Sequence, residues 1–343
     1  MKIQDVLQKS METPGISVKQ DIYSTELLLH TPDGKGSMTF FSLFPGITLA
    51  YIFVNASSWE APKFSENDPN GKGLLLFNYC VEGRCELVLN NQNYVYLKDQ
   101  EISLTEHFAR NQYVYPRHIY EGLEFFIDID VLTTQCPYIA DDLAIDFRKL
   151  VDLYCPREST YIAGVLPEIA GTLQNLWKLF DLPLPFALSQ MRLSSLLLFS
   201  TLLNLKEIPK SQVCSFFTES QVDIAKRTER IITEDLQKHY PARELAAMFS
   251  ISETSLKNYF RGVYGQNISS YLRDLRMKTA ADLLENTRLP ISEIAEQVGY
   301  LNQSKFATVF KNYYHMSPLE YRRSQALSSI PLRRSYSSRS DRS

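Results

Sequence analysis

Covalent and metal chemistry have little to work with in this chain. The strand-rich first half holds His30, His107 and His118, none with another histidine two residues away, so it lacks the paired imidazoles that transition metals favour. Cys80 and Cys85 are two thiols without a second pair, short of a structural zinc set, and read as small apolar strand residues. The chemistry that the residues support is recognition. One pattern occurs twice near the C-terminus: Glu244-Leu245-Ala246 through Leu256, Phe260, Tyr264 and Tyr271, then Glu293-Ile294-Ala295 through Phe306, Phe310, Tyr314 and Tyr321. The opening triplets lie 49 residues apart and the later aromatics 50 apart, so one residue has been added to the intervening turn. Each copy reads as a short helix, a tight turn (Ser250-Ile251-Ser252 or Gly299-Tyr300-Leu301) and a second helix with apolar residues at helical spacing. That is the outline of a helix-turn-helix, which places its second helix in the DNA major groove.

An amphipathic helix from about Ile268 to about Asn286 joins the copies, with Tyr271, Leu272, Leu275, Met277 and Ala280 among its apolar positions. About twenty helical residues span roughly 30 Å. Major-groove faces on one side of B-DNA recur every ~34 Å, so such a spacer can hold two recognition helices near one turn apart.

Residues 221 to 323 resemble the AraC/XylS transcriptional regulators. The second copy carries the densest match: Ile291-Ser292-Glu293-Ile294-Ala295-Glu296-Gln297-Val298-Gly299-Tyr300, then Ser304, Phe306, Phe310-Lys311, Ser317-Pro318 and Glu320-Tyr321-Arg322. The match extends back through Tyr271-Leu272, Leu275-Arg276, Ala280 and Leu283-Leu284. The resemblance implies an all-α, seven-helix domain whose two helix-turn-helix units read two neighbouring major grooves. Carried over position by position, it implies base contacts by Thr254, Lys257 and Asn258 in the first unit and by Gln303, Ser304, Ala307 and Thr308 in the second. Lys257 can donate to guanine, Asn258 and Gln303 can pair bidentately with adenine, and Ala307 can touch a thymine methyl. Arg261, Lys305 and Lys311 are placed for phosphates, which fix register without reading sequence. The family often has arginine where this chain has Asn258 and Thr308, which implies weaker guanine readout there. Leu256, Tyr259, Phe260, Phe306, Val309 and Phe310 are expected in the core.

Residues 221–343 hold 19 Lys and Arg against 13 Asp and Glu, a net of +6, while the rest of the chain comes to −9 and the whole to −3. This asymmetry suits a basic, phosphate-facing module attached to an acidic one. The Ser- and Arg-rich segment 324–343 reads as a disordered tail. Met1 to Lys9 is mixed polar and apolar, unlike a signal segment, and the apolar stretch Leu193 to Leu205 is interrupted by Ser and Thr and too short for a bilayer. Five scattered cysteines fit reduced thiols. A soluble, cytoplasmic protein with no membrane partner is expected.

Residues 20 to 135 read as short β-strands, with Glu82-Gly83-Arg84 and Asn90-Asn91-Gln92-Asn93 as turns, and suggest a small barrel or sandwich. The strand-turn-strand at Glu82-Gly83 and the hairpin after it resemble the cupin-like effector domains that precede the DNA-binding half in this family; the usual Gly-Asp turn is replaced by Asp99-Gln100. Phe41, Tyr51, Phe53, Phe77, Tyr79, Tyr94 and Tyr96 would line such a barrel, as core or as walls of a small-molecule pocket. Arg84, Arg110 and Arg117 are candidate anion anchors, though lone arginines are more often solvated. No catalytic residue, metal or cofactor is expected. A cupin-type enzyme with an appended DNA-binding module stays open as an alternative, as does a regulator with no ligand; related DNA-repair methyltransferases would need a four-cysteine zinc cluster.

Two helices with apolar faces lie between the halves, parted by Leu182-Pro183-Leu184-Pro185. An apolar stripe must be buried, either on the barrel or, as is common in the family, against a second subunit, in which case Leu196, Phe199 and Leu203 are the dimerisation residues. The expected layout is a multidomain α and β chain: a cupin-like sensor over 1–160, interdomain dimerisation helices over 161–206, a linker over 207–220, the DNA-binding domain over 221–323 and the tail. The expected partners are double-stranded DNA, RNA polymerase, a small-molecule effector and a second copy of the chain.

Overall fold

A computed structural model describes residues 15–31, 34–60, 74–89, 93–106, 112–211 and 216–328. The chain divides into two compact units, one of residues 1–223 with 262–265 and one of 224–261 with 266–343.

The first unit is built on β1 (Ile16–Gln20), β2 (Ser24–Thr31), β3 (Gly34–Phe44), β4 (Ile47–Asn55), β5 (Ser58–Glu60), β6 (Leu74–Val88), β7 (Tyr94–Lys98), β8 (Glu101–Thr105), β9 (Gln112–Val114), β10 (Tyr120–Asp128) and β11 (Tyr161–Gly164). The main sheet runs β1-β2-β3-β4-β10-β6-β8-β11, with β7 paired to β6 and β5 pairing β9 apart from it. Every pairing is antiparallel. The sheet is open rather than a closed barrel, because β1 and β11 at its ends do not pair with each other.

Strands β4 and β10 are buried almost throughout, because apolar layers cover both faces of the sheet. This is why β4 reads as a nearly continuous apolar run instead of an alternating one. One face carries Phe41, Tyr51, Phe77, Tyr79, Leu123 and Phe125. The other carries Met38, Phe40, Ile52, Trp59 and Tyr120.

The first face is covered by α1 (Ile129–Gln135), α2 (Tyr138–Asp141), α3 (Phe147–Tyr154), α4 (Pro167–Leu179) and α5 (Phe186–Leu203). Most of the aromatics expected to line a barrel therefore pack on helices. Phe53 lies 5.2 Å from each of the Trp177 and Phe180 rings, and the Tyr51 hydroxyl donates to the Leu176 carbonyl. Tyr94 and Tyr96 belong instead to the β6–β7 hairpin, where Tyr96 donates to Glu86 at 2.7 Å.

Glu82-Gly83-Arg84 is not a turn. Strand β6 continues through it, and Gly83, at φ 103°, marks a bulge where a Cβ would lie 2.1 Å from the Ile119 carbonyl oxygen. The bend hands β6 from β8 and β10 to β7, as bulges do. Asp99 and Gln100 take the place of the expected Gly-Asp turn: Asp99 accepts from the Gly83 N–H at 2.5 Å and Gln100 adopts φ 60°. Residues 90–92 of the second expected turn lie outside the described residues.

The interdomain helices correct a second expectation. Phe199 is wholly buried, with its ring 5.1 Å from Phe125 and 5.0 Å from Phe147, and Leu196 and Leu203 are half-buried against the same core. The sheet consumes this stripe, so it is not free for a second subunit. By length and composition α5, beginning at Phe186, could cross a membrane, with a mean hydropathy of 1.3; the expected stretch started later and fell short. Here one side of α5 is core, and Phe186, Leu193 and Leu197 are exposed on the other. Within the expected linker, Phe217 exchanges backbone hydrogen bonds with Tyr94 at 2.8 and 2.9 Å.

Seven helices follow among the described residues: α6 (Glu219–Glu234), α7 (Ala242–Met248), α8 (Glu253–Tyr264), α9 (Ile268–Asn286), α10 (Ile291–Gln297), α11 (Gln303–Tyr314) and α12 (Pro318–Ser328). Helix α12 takes in the first residues of the expected tail; residues 329–343 lie outside the described ones. The sequence repeat is a structural repeat. Phe260 and Tyr271 meet edge to face at 5.5 Å and 84°, and Phe310 and Tyr321 at 5.4 Å and 82°. Tyr271 donates to Glu229 at 2.9 Å and Tyr321 to Glu285 at 2.6 Å. The Ser317-Pro318-Leu319-Glu320 motif is a capping box with proline at the first helical position: Ser317 N–H donates to the Glu320 carboxylate at 2.8 Å and Glu320 N–H to Ser317 Oγ at 3.3 Å.

Gly299 sits where three segments converge. Its φ is +78°, and a Cβ there would lie 2.3 Å from the Leu236 carbonyl oxygen and 2.7 Å from Arg276 Nη2. Arg276 of α9 donates to the carbonyls of Leu236 at 2.9 Å and Lys238 at 3.1 Å, and its guanidinium lies 5.9 Å from the Tyr300 ring centre.

Stability measurements on three variants check these assignments. Gly299→Ala should destabilise the second unit by more than about 2 kcal/mol in urea unfolding, since the left-handed conformation alone costs an L-residue about 1–2 and the backbone contact adds to it. Gly171→Ala, in α4 with nothing within 4 Å, should be neutral or stabilise by about 0.5–1 kcal/mol. Phe199→Ala should cost about 3–5 kcal/mol, as for an aromatic removed from a packed core; a cost near zero would return Phe199 to a subunit interface.

Candidate nucleic-acid interface

Each recognition helix starts at a side-chain cap. Ser252 Oγ accepts from the Ser255 N–H at 3.0 Å ahead of α8, and Asn302 Oδ1 from the Lys305 N–H at 3.0 Å ahead of α11. Leu256 and Phe260 anchor the inner face of α8, and Phe306 and Phe310 that of α11, all fully buried. Tyr259 and Val309, expected in the core, are only half-buried. Helical periodicity then turns Thr254, Lys257, Asn258 and Arg261 outward on one face of α8, and all four are exposed. On α11 the same geometry exposes Gln303, Ser304, Thr308 and Lys311, with Ala307 half-buried between them and Lys305 exposed beside them.

These faces present amide, hydroxyl and ammonium groups, the donors and acceptors that read base edges and phosphates, and each helix N-terminus adds a positive dipole end. Two groups are partly engaged within the protein. Lys257 Nζ lies 2.5 Å from Glu253 Oε1, an exposed pair of the kind worth about 0.3–0.5 kcal/mol, so a guanine can displace the carboxylate at small cost. Thr308 Oγ1 donates to the Ser304 carbonyl at 3.0 Å, which leaves that hydroxyl only lone pairs to offer outward.

The change of spacing from 49 to 50 resolves at one residue that the sequence reading passed over. The Ile251 N–H donates to the Ala246 carbonyl at 3.2 Å and the Tyr300 N–H to the Ala295 carbonyl at 2.8 Å, so these residues match at the offset of 49. The caps Ser252 and Asn302 match at 50. Leu301 is the residue left between Tyr300 and Asn302, and it is 104% exposed. The jump in offset was the available signal; it located the turn but not the direction of the side chain.

The other candidate chemistry does not assemble. Among the described residues no group of three or more His, Cys, Asp or Glu is placed to hold a metal; His107 and Arg110 lie outside them. Cys80, Cys85, Cys136 and Cys155 are buried thiols, and burial pushes the Cys155 thiol up to about 12, away from thiolate reactivity. Arg84 is buried, not solvated, with its guanidinium 5.1 Å from the Tyr96 ring centre and burial lowering it to about 10. Arg117 is exposed and pairs with Asp99 at 3.2 Å.

Comparison with known proteins agrees with this geometry. A family described as a helix-turn-helix domain matches residues 245–324. An uncharacterised HTH-type transcriptional regulator of Haemophilus influenzae is 32% identical over 96 residues, covering 28% of this chain and 32% of that protein. The HTH-type transcriptional activator RhaR of an Enterobacter species is 31% identical over 87 residues, 25% of this chain and 31% of that one. This chain thus matches about a third of the length of either relative. Among solved structures, the C-terminal domain of AraT, a response regulator from Geobacillus stearothermophilus, shows 35% identity over 29% of this chain and 84% of that one, with a TM-score of 0.28. Residues 245–324 are thus a helix-turn-helix domain of the AraC type.

Proposed function

We infer that this protein is a sequence-specific transcription regulator of the AraC/XylS type. The observation that carries the reading is the pair of polar recognition faces on α8 and α11, held by a single 19-residue helix, α9. At 1.5 Å per residue α9 is about 28 Å long, close to the ~34 Å between successive groove faces. Thr254, Lys257 and Asn258 read one groove, Gln303, Ser304, Ala307 and Thr308 the next, and Arg261, Lys305 and Lys311 hold phosphates. The protein works in the cytoplasm and acts on RNA polymerase; its sign is activation, and the name of the Enterobacter relative calls that protein a transcriptional activator.

The first unit serves as the sensor. A groove of about 440 Å³ on its sheet, lined by Leu28, His30, Lys35, Phe53 and Glu121 among others, has the volume and the mixed lining of a small-molecule site, and we assign the effector to it. Two copies of the chain pair through the exposed row Phe186, Leu193 and Leu197 of α5, which are 61%, 63% and 57% exposed. These residues recur at seven and four positions along the helix, a seam that a second helix can cover.

Selection of duplexes by the full chain from a randomised library tests the DNA reading. Affinity for the selected duplex should fall steeply with salt as counterions are released. Lys257→Ala and Asn258→Ala should each cost about 1–3 kcal/mol at bases in one half-site and Gln303→Ala a similar amount in the other, while Lys311→Ala weakens all sequences alike. Changes at the same bases by Lys257→Ala and Gln303→Ala would defeat the two-groove arrangement.

Light scattering tests the assembly. Leu193→Glu with Leu197→Glu should turn a dimer into a monomer with nearly unchanged melting, because the row is exposed within one copy. A wild-type chain already monomeric at micromolar concentration would rule this interface out.

A further inference from the structure

We propose that Leu301 is a further specificity-determining residue, reading a thymine methyl group at the edge of the groove entered by α11; this rests on the DNA-binding reading above. The residue just before a helix N-cap commonly packs back on the fourth helical residue as a hydrophobic staple. In the first unit that place belongs to Ile251, which is half-buried ahead of the Ser252 cap. In the second unit Leu301 has the place by number, but Tyr300 does the packing, with its ring 5.7 Å from that of Phe306, the fourth residue of α11. Tyr300 is also fixed from the other side by its N–H bond to Ala295 and by Arg276. The inserted leucine is thus relieved of its structural task and stands clear of the protein.

Its neighbours supply the occupant. Leu301 directly precedes Asn302 and the outward-facing Gln303 and Ser304, at the end of the recognition helix that enters the major groove first. An apolar side chain there meets one apolar base feature in that groove, the thymine 5-methyl. A protein partner seated on the same turn would have to share it with the DNA that the next residues hold.

The probe is the duplex selected by the full-length chain, with each thymine replaced in turn by deoxyuracil, which removes only the methyl. Wild-type protein should lose about four-fold in affinity at one thymine of the half-site read by Gln303, the worth of one buried methyl group. Leu301→Ala and Leu301→Ser should lower affinity for the unmodified duplex by a similar factor and be indifferent to deoxyuracil at that position. Both variants should keep the wild-type circular dichroism and melting, since the side chain contacts little in the protein. The proposal is overturned if the deoxyuracil scan is flat for wild type, or if the variants respond to it as wild type does. It is also overturned if the variants bind DNA normally and lose only polymerase-dependent transcription, which would assign Leu301 to a protein contact. Failure of the wild-type chain to select any duplex would instead bring down the DNA reading itself, and this assignment with it.

Discussion

The proposed two-groove reading depends on one rigid helix with a foot in each of two small cores. Near its start α9 buries Ile268, Tyr271 and Leu272, with Tyr271 against Phe260 of the first helix-turn-helix; further on it buries Met277, Ala280, Ala281 and Leu284 with the second. Neither recognition helix can shift along α9 without opening a core, and opening a packed core costs several kcal/mol. Each foot is locked in the same way, by a phenylalanine meeting a tyrosine edge-on and by that tyrosine's hydroxyl on a glutamate of the helix that precedes its helix-turn-helix, Glu229 of α6 or Glu285 of α9. Such ring pairs add about 0.5–1.5 kcal/mol beyond their buried area.

Arg276 supplies the remaining constraint. It stands mid-way along α9, binds the carbonyls that follow α6 and lies by the Tyr300 ring in the second turn. The guanidinium therefore connects the approach to the first helix-turn-helix with the turn of the second. Glycine is required at position 299 because backbone and guanidinium crowd its Cβ position, and tyrosine at 300 because a ring must reach both Arg276 and Phe306. With these two places committed, the inserted Leu301 has no internal partner to take.

In the first unit the governing fact is a sheet buried on both faces. Helices α4 and α5 cover one side, so the aromatics of β3, β4 and β6 are packing residues of a sheet-helix core, and α5 is an integral layer of this unit with one exposed row. The groove proposed for the effector is lined by Phe53, which also packs on Trp177 and Phe180, together with Leu28, His30, Lys35 and Glu121.

The seven-helix count was implied by the resemblance to the AraC/XylS regulators, whereas the sequence by itself determined the C-terminal repeat and the outward faces of α8 and α11. Those features follow from local periodicity: once Leu256 and Phe260, or Phe306 and Phe310, are buried, the helical pitch settles which residues face out. Even the inserted residue was countable. Tertiary structure alone decided that Leu301 projects while Tyr300 packs, because that outcome depends on Arg276, 24 positions earlier. It likewise decided that Gly83 is a bulge rather than a turn, since only the approach of Ile119 reveals the crowding there. It decided that the sheet stays open and that Phe199 is core while Leu193 is surface. Helix α5 is apolar around much of its circumference, so its own pattern cannot say which side meets the sheet; that choice belongs to long-range packing.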